Sequence, residues 1–165
     1  MWCKMEKIYT SQNCSVHATN NIPPSCYSDD NCKLIVFQDV GKQNLTLKNN
    51  QGFKFRKIIV DGCVITDKNS PGEKKCDFLL TISNHPQCEE YYIELKGSDI
   101  KHAVEQIYST IRKLSSVPST QMKKGYIICN KSPMASTKIQ SFQKQARKQF
   151  NLVLIVRCSP YTDTL

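Results

Sequence analysis

Two stretches decide how this chain is read: Lys75-Cys76-Asp77-Phe78-Leu79-Leu80, and Tyr91-Tyr92-Ile93-Glu94-Leu95-Lys96-Gly97. Cys76 to Ile82 is a short apolar run, and Tyr91 to Lys96 is rich in aromatic and aliphatic residues, so both predict strands. The polar segment Ser83-Asn84-His85-Pro86-Gln87 predicts the loop between them. Side chains alternate between the two faces of a strand, so Glu94 and Lys96 point to one side of the sheet and Leu95 to the other. If the two strands pair as an antiparallel hairpin, Asp77 at the start of one comes opposite the end of the other. Asp77, Glu94 and Lys96 then converge.

Downstream, a helix follows at once. Ser98 or Asp99 can cap it, and Ile100, Ala103, Val104, Ile107, Ile111 and Leu114 recur at helical spacing until Pro118. Gly125 to Cys129 predicts a strand. Ser136 caps a second helix with the apolar stripe Ile139, Phe142, Ala146 and Phe150, while Lys138, Lys144, Arg147 and Lys148 lie elsewhere on its surface. Leu152 to Val156 predicts a last strand, apolar throughout and therefore central or covered on both faces. Upstream, Lys33 to Phe37 predicts a strand and Gly41 to Gly52 a polar, turn-rich segment. Phe55 to Val60 and Cys63 to Thr66 flank Asp61-Gly62, either as one strand with a bulge or as a hairpin on a type I′ turn. This order predicts an α/β fold with a mixed central sheet flanked by helices. It occupies residues 34–165 as a single domain, with residues 1–33 a Cys-rich irregular segment packed on the core or extending it.

The chain has 165 residues, 39% apolar and 22% charged, a balance that argues against wholesale disorder, collagen and coiled coil. Its longest aliphatic run, Leu152 to Val156, is far short of the roughly 20 apolar residues that span a bilayer. The first residues lack the apolar core of a signal peptide, so no membrane association and a cytoplasmic location are expected. A net charge of +9 favours a polyanionic partner, because each phosphate neutralised by Lys or Arg releases condensed counterions.

The nine cysteines are odd in number, and no export signal accompanies them, so buried free thiols are expected at Cys63, Cys76, Cys129 and Cys158. Cys14, His17, Cys26 and Cys32 could in principle hold zinc. The spacing of the second pair is wider than usual, and a chance match in a Cys-rich segment is the better reading.

Two carboxylates and an ammonium at one place are what phosphodiester hydrolysis needs. The acids hold Mg²⁺ or Mn²⁺ with water ligands retained, and the lysine orients the nucleophile or stabilises the pentavalent state. Asp77, sixteen intervening residues, Glu94-Leu95-Lys96 and an immediate amphipathic helix resemble the PD-(D/E)XK nuclease superfamily, which includes restriction endonucleases and archaeal Holliday-junction resolvases. The resemblance covers roughly residues 53–157. It implies a restriction endonuclease-like core, a metal site formed by Asp77, Glu94 and the main-chain carbonyl of Leu95, and a catalytic Lys96. It further implies metal-dependent cleavage of DNA in preference to RNA, as endonuclease or exonuclease, in restriction, phage defence or repair. A homodimer or partner protein is also expected, because duplex cleavage needs two sites.

The motif departs from the family's in two ways. Cys76 stands where a proline is usual, and the only early glutamate is Glu6, so an additional acid would have to come from Glu6 or Asp61. Some family members place a glutamine from the following helix in the site, which makes Gln106 a supporting candidate. Lys54, Arg56, Lys57, Lys74, Lys75 and Lys101 surround the proposed site as candidate phosphate contacts. The rival reading is a catalytically inactive nuclease-like fold that binds nucleic acid or protein.

Overall fold

A computed structural model of the chain describes residues 22–38, 43–83, 90–95, 99–130 and 136–165. The hairpin predicted from the two deciding stretches is its centre: β5 (Phe78–Ile82) and β6 (Glu90–Glu94) pair antiparallel, with Phe78 opposite Ile93. On one side β5 pairs antiparallel with β4 (Phe55–Ile59), which in turn carries β1 (Tyr27–Asp30). On the other side, β6 pairs in parallel with β7 (Lys123–Cys129), and β7 with β8 (Leu152–Cys158). The result is a mixed six-stranded sheet in the order β1-β4-β5-β6-β7-β8. Helix α1 (Ile100–Leu114) connects β6 to β7, and helix α2 (Ser136–Phe150) connects β7 to β8, as parallel pairs require.

Both helices lie on one face of this sheet. There Leu79, Tyr92, Ile127 and Leu154 from the strands pack with Ile100, Val104, Ile107 and Ile111 of α1 and Ala146 of α2. The Asp99 side chain accepts the His102 N–H at 3.1 Å and starts α1 where the sequence places its cap, a contact worth about 1 kcal/mol.

The opposite face is covered by a second sheet. Its strands are β2 (Leu34–Gln38), β3 (Asn44–Lys48) and β9 (Tyr161–Thr164), in the order β2-β3-β9. Ile35, Phe37, Leu45 and Leu47 from this layer meet Leu80, Tyr91, Ile93 and Tyr126 in a second core. The Tyr126 hydroxyl reaches across to the Asp163 carboxylate at 2.9 Å.

Several expectations are corrected. The segment from Gly41 to Gly52 is not all turn, because Leu45 and Leu47 alternate with Asn44 and Thr46 and build β3. Asp61-Gly62 forms neither a hairpin nor a bulged strand. Gly62, at φ +77°, turns the chain so that Ile65 N–H returns to the Val60 carbonyl at 2.9 Å, and only an isolated Asp61–Ile65 bridge follows. β8 takes the second of its two expected arrangements, an edge strand covered on both faces. Its apolar run is explained by α2 over Leu152, Leu154 and Val156, and by the second core against Ile155.

Cys63 is not a free thiol but is bonded to Cys26. The antiparallel β1–β4 pairing brings the residue before Tyr27 to the turn that follows Ile59, with 5.5 Å between the two Cα atoms. Cys26 is therefore no thiolate ligand for zinc, and Cys14 and His17 lie outside the described residues. Cys76 and Cys129 are buried free thiols as expected, whereas Cys158 is exposed. No helix among the described residues is long and apolar enough to cross a membrane.

Candidate active site

The β4–β5 ladder runs one residue past β5, because Val60 N–H donates to the Asp77 carbonyl at 2.9 Å. Extending the β5–β6 register by the same step sets Asp77 opposite Glu94. Alternation gives the face. Leu79 and Tyr92 belong to the helix-side core, so Asp77 and Glu94, each two residues away, lie on that side as well. Glu94 is 1% exposed and Asp77 is half-buried. Asp77 Oδ2 accepts the main-chain N–H of Leu95 at 2.7 Å, which turns its carboxylate toward the end of β6. The Leu95 side chain points the other way, into the second core.

The Cys76 thiol sits beside this pair. Burial pushes its pKa up to about 12, and the charges of Glu94 and Asp77 add to the effect. Helix α1 holds the approach to Asp77 in place. Cys76 N–H donates to Thr110 Oγ1 at 2.9 Å, Thr110 donates on to the Gln106 carbonyl, and Gln106 Nε2 donates to the Lys75 carbonyl at 2.8 Å. Gln106 thus acts on the main chain just before Asp77. Thr110 is a contributor that the sequence reading missed, although a threonine between Ile107 and Ile111 on an apolar helix face was a visible signal.

Lys96, Glu6 and His85 lie outside the described residues. Asp61 is engaged by Lys75 at 3.6 Å. Two carboxylates and one main-chain carbonyl suit a Mg²⁺ ion that retains most of its waters. No group of three His, Cys, Asp or Glu side chains able to hold a metal occurs among the described residues, where the candidate donors are the two acids Asp77 and Glu94.

The six basic candidates do not form one open patch. Arg56 makes two hydrogen bonds to Asp29, at 2.6 and 2.7 Å, and lies 3.9 Å over the Tyr27 ring. Lys57 donates to the Val36 carbonyl at 2.6 Å, between the rings of Phe37 and Phe78. Lys74 pairs with Glu105. Lys75 is bonded to Asp67 at 2.7 Å, and that bond holds its ammonium above the usual lysine range, helped by Asp61. Lys54 and Lys101 are exposed.

Comparison with protein-family profiles, curated proteins and solved structures finds no match. The site must be judged on its own geometry.

A second buried carboxylate, at the other end of β6, was not foreseen. Glu90 is 1% exposed and accepts four hydrogen bonds: from Tyr92 and Ser115 hydroxyls at 2.7 Å, Ser116 N–H at 2.8 Å and the Ser116 hydroxyl at 3.0 Å. It fastens the exit of α1 to the sheet. Burial, then the Glu90 charge, raises the Tyr92 pKa well above the ordinary phenol value. Every partner of Glu90 is a group of the fold, so its role is structural.

Proposed function

We propose that this protein is a Mg²⁺- or Mn²⁺-dependent nuclease of the PD-(D/E)XK type that hydrolyses DNA phosphodiester bonds. The observation that carries the reading is the β5–β6 register, which sets Asp77 opposite Glu94 on one face at the end of the strand pair. Asp77 and Glu94 offer carboxylate oxygens to the metal, and Leu95 offers its carbonyl. By the resemblance, the role left to Lys96 would be to orient the attacking water or to stabilise the charge that develops on the phosphate. A metal held there would supply an activated water and neutralise the scissile phosphate. Thr110 and Gln106 keep the Asp77 main chain in register, so the acid is positioned before substrate arrives.

The near-complete enclosure of Glu94 favours a second reading, a nuclease-like fold that binds nucleic acid without cutting it. Incubation with plasmid, linear duplex, single-stranded DNA and RNA, with and without Mg²⁺ or Mn²⁺, separates the two. Metal-dependent loss of DNA supports the nuclease, and binding with no cleavage in either metal rejects it.

A further inference from the structure

The charge of the molecule is concentrated in its helical layer. Helices α1 and α2 together carry seven Lys and Arg and one acid, Glu105, a net of +6 out of the chain's +9. Helix α2 has no acid at all. Its rotation is fixed by Ala146, buried on the sheet, and by Gln143 Nε2, which donates to the Leu154 carbonyl at 3.0 Å. Lys144 and Lys148 therefore lie on the outer side of the helix with Lys138 and Arg147 on its two flanks, and all four are exposed. None of them takes part in an ion pair among the described residues. Arg112 of α1 lies 5.2 Å over the Phe150 ring and brings a fifth cation to the last turn of α2.

Helix stability does not explain this arrangement. Arg147 and Lys148 in the last turn complement the helix dipole, but Lys138 in the first turn opposes it, and Lys144 and Lys148 are like charges four residues apart. The layout suits a phosphate backbone. Lys138 to Lys148 spans about 15 Å of helix axis. Duplex DNA carries one charge per roughly 1.7 Å, so several phosphates fall within reach. Single-strand binders add exposed aromatic rings for base stacking. The aromatics of α2, Phe142 and Phe150, instead pack against the core. The helix starts beyond the end of β7, at the sheet edge where Glu94 ends β6.

Resting on the nuclease reading, we propose that the outer face of α2, with Arg112 at its end, is the duplex-DNA docking surface, contacting phosphates and reading no bases. It would hold the duplex along the helical layer and lead it to the edge that carries Asp77 and Glu94.

The test is anisotropy with a labelled DNA duplex in Ca²⁺ across a salt series. Three proteins are compared: the natural chain, a triple variant Lys144→Glu, Arg147→Glu, Lys148→Glu, and a control of equal charge, Lys33→Glu, Lys48→Glu, Lys68→Glu. The logarithmic salt slope should fall by about 0.9 for each phosphate that the α2 variant no longer neutralises, with affinity down more than about tenfold, while the control keeps its slope. The corresponding glutamine triple serves if charge reversal disturbs folding. Equal losses in the two triples, an unchanged slope in the α2 variant, or tighter binding of single strands or RNA than of duplex DNA would overturn the proposal. Duplex binding that depends on α2 without cleavage in Mg²⁺ or Mn²⁺ keeps the docking surface and rejects the nuclease. No duplex binding by the natural chain rejects the surface outright.

Discussion

The Asp77 carboxylate accepts the Leu95 N–H at 2.7 Å, so the acid that opens β5 is tied to the main chain immediately after Glu94. One hydrogen bond couples the two halves of the proposed metal site. It also pins the end of the β5–β6 hairpin, where an open strand end would otherwise fray.

That coupling separates the roles of the two acids. Glu94→Gln keeps the shape of a buried side chain and should lower metal-dependent cleavage by more than about 100-fold, since loss of a supporting group alone costs roughly 10- to 100-fold. Its melting temperature should stay near that of the natural protein. Asp77→Asn should lose cleavage to a similar degree. Glu90→Ala is the opposite control: a carboxylate holding four neutral donors is removed, and stability should fall by at least about 1–3 kcal/mol, the cost of one buried donor left unsatisfied. At a temperature where the Glu90 variant is folded, it should still cut. Steady-state cleavage beside urea denaturation checks all three, and full activity in Glu94→Gln would remove that residue from the mechanism.

Thr110→Val tests the clamp that α1 places on Cys76. The substitution leaves a buried Cys76 N–H without its acceptor, which costs about 1–3 kcal/mol. Because Asp77 is the next residue, the cleavage rate should also drop in the folded variant, whereas Thr110→Ser should restore both stability and rate. A stability loss with an unchanged rate would show that the clamp does not position Asp77.

The strands and helices around the site were legible because their patterns are local. Leu79 and Tyr92 announce the helix-side face two residues from Asp77 and Glu94, and Asp99 followed by Ile100, Ala103 and Val104 announces α1. What escaped depends on contacts distant in sequence. β3 needs β9, more than a hundred residues away, to complete its sheet, and a five-residue strand among Asn and Lys gives little signal alone. The Cys26–Cys63 bond follows from the β1–β4 pairing, and no spacing rule reveals such a pairing. The basic residues near the motif failed as an open patch for a similar reason. Asp29 and Glu105 lie 27 and 31 residues from the Arg56 and Lys74 they engage, whereas Asp67, eight residues from Lys75, was within local reach.

The disulfide should matter for β1 more than for the site. It closes a separation of 37 residues, for which chain entropy predicts about 4 kcal/mol. Among the described strands, β1 is an edge strand that pairs with β4 only. Reduction, or Cys26→Ser with Cys63→Ser, should lower the urea midpoint and speed hydrogen exchange in Tyr27 to Asp30, while amides of β6 and β7 stay protected. In a reducing compartment this tie would open. Uniform loss of protection across the sheet would instead make the bond a support of the whole core.

The buried thiols set a limit on the alkaline side. Cys76 is pushed up to about 12 and Cys129 to about 11, in both cases chiefly by burial, whereas a thiol in the unfolded chain titrates near about 8.5. A group whose pKa is raised by folding binds its proton more tightly in the native state. Its contribution is therefore complete below the unfolded value and is lost as pH climbs toward the folded one. Stability should hold to about pH 8 and fall steadily between roughly pH 9 and 11, because the unfolded chain gives up thiol protons that the fold must keep. Tyr126, raised by burial and by Asp163, adds to the decline at the upper end. Urea midpoints from about pH 7 to 11 for the natural chain and for Cys76→Ala isolate the first contribution. The variant is weaker at neutral pH, having lost a core side chain, but its midpoint should fall less steeply above about pH 9. Over the same range, exposed Cys158 should react with iodoacetamide while Cys76 does not. Parallel midpoint curves for the two proteins would show that Cys76 is not the titrating group.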